Sequence, residues 1–485
     1  MGPDGELPAL GAVLLSRRLP QRERRRLRRR RLAGAVIAGA LVAVPVRADV
    51  LTAGHGRRAA AASSPGWAAP SAFAGCPSAG PSSVVFPSDS PFHRTGPGAI
   101  VWSASEACPG GAGARVAALG AGDVPAGPLA PRTASGAPIA PRGPLRVSGA
   151  PFGRILIAGS SLAAPTSALA VQGAAAGTFA AQRTVAGSGS PAAVTRAYLG
   201  DVALAAPATP GAGGLQVQVE RFFRTSFSAA RQAVGAGVPV SSATVALDFR
   251  TDALAVWTSR GALYARYLPA RHAAAAVQRL ASVAPGAHAS AVLSDDGRAI
   301  VAWSEVRGAA ASVHVAISRA GVSFGAPALL ERFSAPAGAA LPAASPTLIR
   351  LRSEAVVIAW DGATGGHWVI REAPVELTGL GSVGTIAVQE RDALMWSFAP
   401  GPDNEAMLLW GQPELGPAAT SVWAARGFQA PGRRLVFGAP EAVAGPGQNS
   451  EGNLAVDPSG DGAVAVWRGA GGAVEYSIRA HGAAR

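Results

Sequence analysis

Residues 291–317 read AVLSDDGRAIVAWSEVRGAAASVHVAI. Ala291-Val292-Leu293 is apolar, and Ser294-Asp295-Asp296-Gly297 supplies turn formers. Ile300 to Trp303 is a second apolar run, and Val313-His314-Val315-Ala316-Ile317 alternates. Apolar runs of four or five residues bounded by Asp-Gly turns are strands joined by hairpins. An unbroken apolar second run points to a strand buried on both faces. Phe324 then opens a fourth short segment.

The same grammar recurs along the chain. Leu454 to Arg479 repeats it, with Asp457-Pro458-Ser459-Gly460-Asp461-Gly462 as the first turn. Apolar runs close on Trp102, Trp257, Trp303, Trp360, Trp410 and Trp467. Two runs without a tryptophan, centred on Ile157 and Leu204, fill the long gap after Trp102. The eight units are then spaced by 55, 47, 53, 46, 57, 50 and 57 residues. A phenylalanine follows in phase, at Phe179, Phe227, Phe324 and Phe437. Two landmarks in a stable phase are hard to reach by chance.

Units of about 50 residues with four strands read as propeller blades. The expected fold is all-β: a single β-propeller over 81–485 with about eight four-stranded blades, or seven with one irregular insertion. A β-sandwich pair or a β-helix is the alternative architecture. The tryptophan row is read as core packing between blades rather than as a stacking surface for a ligand. The final unit shows three strands, and a segment near the start, Ser83 to Phe86, is expected to complete it.

The rest of the chain sets the context. The net charge is +14, yet residues 1–48 hold eleven Arg against three acids (Asp4, Glu6, Glu23) and the remainder holds 32 against 26. The body has no basic stripe interleaved with aromatics, so a nucleic-acid partner is excluded. Arg22–Arg31 reads RERRRLRRRR, followed by the uncharged run LAGAVIAGALVAVPV over residues 32–46 and the small residue Ala48. A basic region, a short apolar region and a small-residue site make a secretory signal peptide, here 1–48. The alternatives are an uncleaved anchor through residues 32–46, which would be the one membrane association, and a basic nuclear or nucleic-acid arm, which would not need the apolar run. Residues 49–80, rich in Ala, Gly, Ser and Pro, read as a linker. The expected location is extracellular or in the cell envelope. The expected state is a monomer.

Cys76 and Cys108 are the only cysteines. In an exported chain such a pair reads as a disulfide. It would close a loop at the start of the domain, with about 3 kcal/mol of stabilisation in the chain-entropy model. The seven histidines show no metal-ligand spacing. No GxxxxGK[ST] or HExxH occurs, and Gly460 to Ala465, a loose GxGxxA, lies between strands with no helix after it. No catalytic, cofactor or metal residues are assigned. Asp248, Asp295, Asp296, Asp457 and Asp461 are read as turn residues.

Ser294-Asp295-Asp296-Gly297 and Ser459-Gly460-Asp461-Gly462 resemble a shortened form of the Asp-box, Ser-x-Asp-x-Gly-x-Thr-Trp, of sialidase-like propeller repeats in exported bacterial proteins. The resemblance spans about residues 81–480 at the level of the repeat. It implies a propeller. For an enzyme of that family it would also imply clustered arginines, a Tyr–Glu nucleophile pair and an acid. Only Tyr198, Tyr264, Tyr267 and Tyr476 are available, none placed beside a Glu at the centre of the ring, and Arg154-Ile155-Leu156 only echoes the family's Arg-Ile-Pro element. The favoured reading is therefore a non-catalytic binding or scaffold module for protein or glycan. The alternative is a sialidase-like, glycan-acting hydrolase or lyase.

Overall fold

Each repeat becomes one antiparallel sheet, and the sheets succeed one another around a ring. The computed structural model describes residues 66–480 apart from short internal stretches, the longest being 161–167, 185–191, 208–213, 221–227 and 337–345. The signal and anchor readings at 1–48, and Phe227, lie outside the described residues. Sheet 1 comprises Ser83–Val85, Ala99–Ala104 and Gly113–Ala118, and sheet 2 is built on Arg142–Ala150, Arg154–Ser160 and Ala168–Ala174. Sheet 3 begins at Ala193–Arg196, sheet 4 at Ser242–Leu247 and sheet 5 at Ala289–Leu293. Sheets 6, 7 and 8 begin at Thr347–Arg350, Leu394–Pro400 and Ser450–Val456. Sheets 2 to 8 carry four to six strands each and are seven full propeller blades. Sheet 1 has three strands and fills the position between sheets 8 and 2.

The second strand of each sheet explains why the ring forms. In sheet 5, Ile300 and Ala302 pack towards sheet 6, while Ala299, Val301 and Trp303 pack towards sheet 4. A strand apolar on both faces cannot be satisfied by one neighbour, so sheets must stack on either side of it. Apolar clusters accordingly bridge every pair of neighbouring sheets, including sheets 8 and 1. Trp102, Trp257, Trp303, Trp360, Trp410 and Trp467 are all buried on second strands, as the core reading requires. Truncating one of these side chains to Ala removes about 3–5 kcal/mol of packing. Ile157 and Leu204 occupy the equivalent strands of sheets 2 and 3. Phe179, Phe324 and Phe437 lie in short strands that pair with the third strand of their sheets.

The first strands lie next to one another around the axis. Their inner edges have no further strand to pair with, which would strand backbone donors. Neighbouring sheets supply acceptors instead. Leu348 N–H donates to Ser290 Oγ at 3.0 Å, Met395 N–H to Asp361 Oδ1 at 3.3 Å and Val84 N–H to Asn453 Oδ1 at 3.0 Å.

Ring closure differs from the sequence reading. The strand that completes sheet 8 is Ser71–Ala72, pairing with Tyr476 and Glu475. Ser83–Val85 is instead the first strand of sheet 1, paired with Ala99–Val101. Two residues carry no hydrophobic period, so this strand was hidden in a stretch rich in Ala, Ser and Pro. Trp67 and Phe73 from the same stretch are buried in the ring.

Candidate functional site

Within each sheet, the first and second strands run antiparallel. The turns joining them therefore leave the ring at one end, close to the axis. The predicted aspartates gather there. In sheet 4, Asp248 N–H donates to Asp252 O (3.1 Å) and Thr251 N–H to Asp248 O (3.2 Å). Asp248 Oδ1 accepts the N–H groups of Arg250 and Asp252, both at 2.9 Å. This is the local side-chain-to-backbone bonding that suits Asp to turns. In sheet 5, Ser294 N–H donates to Arg298 O (2.8 Å), Gly297 N–H to Ser294 O (2.9 Å), and Asp296 Oδ1 accepts Arg298 N–H (3.1 Å). Gly297 holds φ at +83°, a left-handed conformation that glycine adopts without steric cost. The equivalent turns of sheets 4 and 6 place Thr251 and Glu354 there instead.

Two of the aspartates also reach across sheets. Asp295 Oδ1 accepts Phe249 N–H from sheet 4 (3.1 Å) and the Arg350 guanidinium from sheet 6 (2.8 Å). Glu354 lies 3.6 Å from the same guanidinium. Asp457 Oδ2 of sheet 8 and Asp123 Oδ1 both accept from Arg94 Nη1, at 2.8 and 2.6 Å. Arg94 also stands 4.6 Å from the Phe86 ring centroid. Asp461 lies outside the described residues. The turn reading thus holds for Asp248 and Asp296. For Asp295 and Asp457 it is incomplete, because one turn residue also ties neighbouring sheets together.

Burial tunes these groups. The Asp248 carboxyl, 1% exposed, is pushed up to about 6, chiefly by loss of solvent and further by the charges of Asp252 and Asp295. The Glu354 carboxyl is raised by burial, with Arg350 opposing the shift. Tyr267, missed as a partner of any acid in the sequence, donates its hydroxyl to Asp252 Oδ2 at 2.6 Å. Burial first and Asp252 second raise that phenol. Strand register sets this pair, because Tyr267 lies opposite Leu254, two residues beyond Asp252. Asp252 Oδ1 also accepts Ala270 N–H at 2.6 Å. Of the other tyrosines, Tyr264 stacks on Trp257 and Tyr476 packs on Phe73, while Tyr198 lies outside the described residues. Arg154 opens the second strand of sheet 2.

One residue set on the opposite end imitates a catalytic triad. His314 Nε2 lies 3.0 Å from Ser312 Oγ and 3.4 Å from Glu305 Oε1. Both contacts fall on the same ring nitrogen, so the imidazole is not oriented by the acid on one side and presented to the hydroxyl on the other. The ring instead stacks on Trp303, centroids 5.5 Å apart. Among the described residues, no three His, Cys, Asp or Glu side chains lie together so as to hold a metal ion. Cys76 and Cys108 form a disulfide.

At the turn end, the acids are acceptors for backbone and arginine donors. What they leave outward is the tip of the sheet 4 turn. Phe249 is 37% exposed there, and the Arg250 guanidinium lies 5.2 Å from its ring centroid.

No family model and no curated protein matches the sequence. Solved structures do resemble the fold. An ulvan lyase from a new polysaccharide lyase family aligns over 84% of this chain and 95% of its own, at 10% identity and a TM-score of 0.45. The Aleuria aurantia lectin, a six-bladed β-propeller, aligns over 62% and 96%, at 14% identity and a TM-score of 0.32. The NanB sialidase from Streptococcus pneumoniae aligns over 69% and 68%, at 10% identity and a TM-score of 0.35.

Proposed function

We propose that this protein is an exported, non-catalytic propeller that binds a glycan at the turn end of the ring, with Phe249 and Arg250 as the contact residues. One observation carries the reading. Asp248 accepts two N–H groups of the turn bearing Phe249 and Asp295 accepts the Phe249 N–H while held by Arg350, and Phe249 itself stays 37% exposed. An aromatic face flanked by a guanidinium offers apolar contact to a sugar ring and hydrogen bonds to its hydroxyl or acidic groups. A rigid turn keeps the ordering cost of binding low. Glycoside hydrolysis would instead need two carboxyl groups flanking an open bond-cleavage site. A disulfide is consistent with an extracellular location, and the basic and apolar run over residues 22–46 supports export. Among the described residues, no helix is long and apolar enough to cross a membrane.

The test is binding of the full chain to an array of neutral and acidic polysaccharides. Phe249→Ala is expected to weaken retention at least tenfold with only a small fall in Tm, because the side chain is partly exposed at the tip of the turn. Equal retention by wild type and Phe249→Ala would remove Phe249 from the site. Retention by neither array class, with binding to a protein surface instead, would overturn the glycan assignment.

A further inference from the structure

The seam between sheets 8 and 1 is built unlike the rest of the ring. Other sheets are joined by a continuous chain, whereas this seam is closed by an arm, residues 66–79, laid along sheet 8 and then stapled to sheet 1. Ser71 and Ala72 pair as a strand and Trp67 bridges Arg479, while Ala68 N–H donates to Ile478 O, Phe73 N–H to Val474 O and Ala480 N–H to Gly66 O. Phe73 inserts between the sheets, 5.0 Å from both the Trp102 and Tyr476 rings. The arm then crosses over. Ser78 N–H donates to Gly472 O of sheet 8, while Ala79 N–H donates to Ser103 O and Ser105 N–H to Pro77 O on the sheet 1 side. Cys76 of the arm is bonded to Cys108, which lies on the hairpin between the second and third strands of sheet 1. Both cysteines are buried in the seam's apolar cluster with Phe73, Trp102 and Val474.

We propose that this disulfide is a redox-controlled clasp on the ring: oxidised it locks the arm across the seam, and reduced it lets the arm leave sheet 8 and open the space between Trp102 and Tyr476. The arm's backbone bonds and the burial of Trp67 and Phe73 are set against the entropy of ordering about fourteen residues. The bond removes that entropy by holding residue 76 against residue 108 in every state of the chain. The rest of the ring has no such dependence, because continuous chain links sheets 1 to 8. Opening follows ordinary thiol–disulfide exchange. Once local opening of the arm exposes the sulfurs, a dithiol thiolate attacks one and expels the other as a thiolate; the second dithiol thiolate then attacks the mixed disulfide and displaces the first protein sulfur, so two electrons convert the protein disulfide to two thiols as the dithiol becomes a cyclic disulfide. The closed ring is then the form of an oxidising compartment, and a reducing one yields an open-seamed molecule.

Hydrogen exchange on the full chain tests this, comparing the oxidised protein, protein reduced with dithiothreitol to two titratable thiols, and the Cys76→Ala/Cys108→Ala variant. Exchange over residues 67–79 and 474–479 should quicken on the order of a hundredfold in both altered forms. Sheets 4 to 6, residues 242–389, should keep their protection. Unchanged exchange in the arm with both thiols free would overturn the clasp. So would a uniform rise across sheets 4 to 6, which would make the bond a staple of the whole fold. Should the variant fail to fold, the reduced wild-type protein decides alone.

Discussion

Asp361 shows how far a single buried group can set solution behaviour. It follows Trp360 on the second strand of sheet 6, is 3% exposed, and accepts the Met395 N–H of the next sheet. Burial pushes its carboxyl up to about 7, against the backbone bond that lowers it. Glu372 is raised by burial to about 7 as well, with Arg434 opposing. A carboxyl whose folded pKa is raised stabilises the fold fully below its unfolded value, about 4, and loses that contribution as the pH climbs through the folded value. Stability should therefore fall between about pH 4 and pH 7, through loss of protons that the folded state holds more tightly than the unfolded chain. Asp361→Asn keeps a carbonyl oxygen for Met395 N–H and cannot ionise. Its unfolding free energy should fall less than that of wild type over this interval, a difference on the order of a few kcal/mol by pH 8. Equal pH dependence in the two proteins would show that the buried carboxyl does not titrate there.

At the scale of the element, the turn between first and second strands does two jobs, and the sequence displays only one. Ser294-Asp295-Asp296-Gly297 announces a tight turn, because each residue has a turn-forming reason to be there. The reach of Asp295 to Phe249 N–H and Arg350 is silent in the sequence, since those partners lie 46 and 55 residues away and meet it only when three sheets align. The second strands were legible for the opposite reason. Burial on both faces leaves a run with no alternation, and its closing tryptophan marks the phase. Asp295→Ala is expected to lower stability by about 2 kcal/mol, the loss of hydrogen bonds to a charged partner. Asp296→Ala, which gives up one turn bond, should cost about 1 kcal/mol. A Tm ranking with Asp296→Ala below Asp295→Ala would reject the cross-sheet role.

At the scale of the molecule, the ring is read from its period and closed by parts that have none. Eight units at spacings near 50 residues predict eight positions, and the structure fills them with seven full blades and a three-stranded sheet. The seam escapes such reading. Ser71–Ala72 is too short to alternate, and Arg94 meets Asp457 across 363 residues. The cysteine pair was visible as a bond, yet its place on the seam emerges only when the arm is seen to cross from sheet 8 to sheet 1. The site was legible to a similar degree. Composition and missing motifs argued against chemistry, whereas Phe249 gave no sign as a lone aromatic beside an Asp. Its exposure follows from the turn geometry. In the proposed function the turn-end acids hold the ring and its contact surface rather than cleave what binds there. Counting new chain ends and unsaturated sugars, when the full chain is incubated with each polysaccharide it retains, separates the two roles. Retention without product over hours is the expected result. Product formation that disappears in Asp248→Asn or in Tyr267→Phe would contradict the account and assign those groups to catalysis.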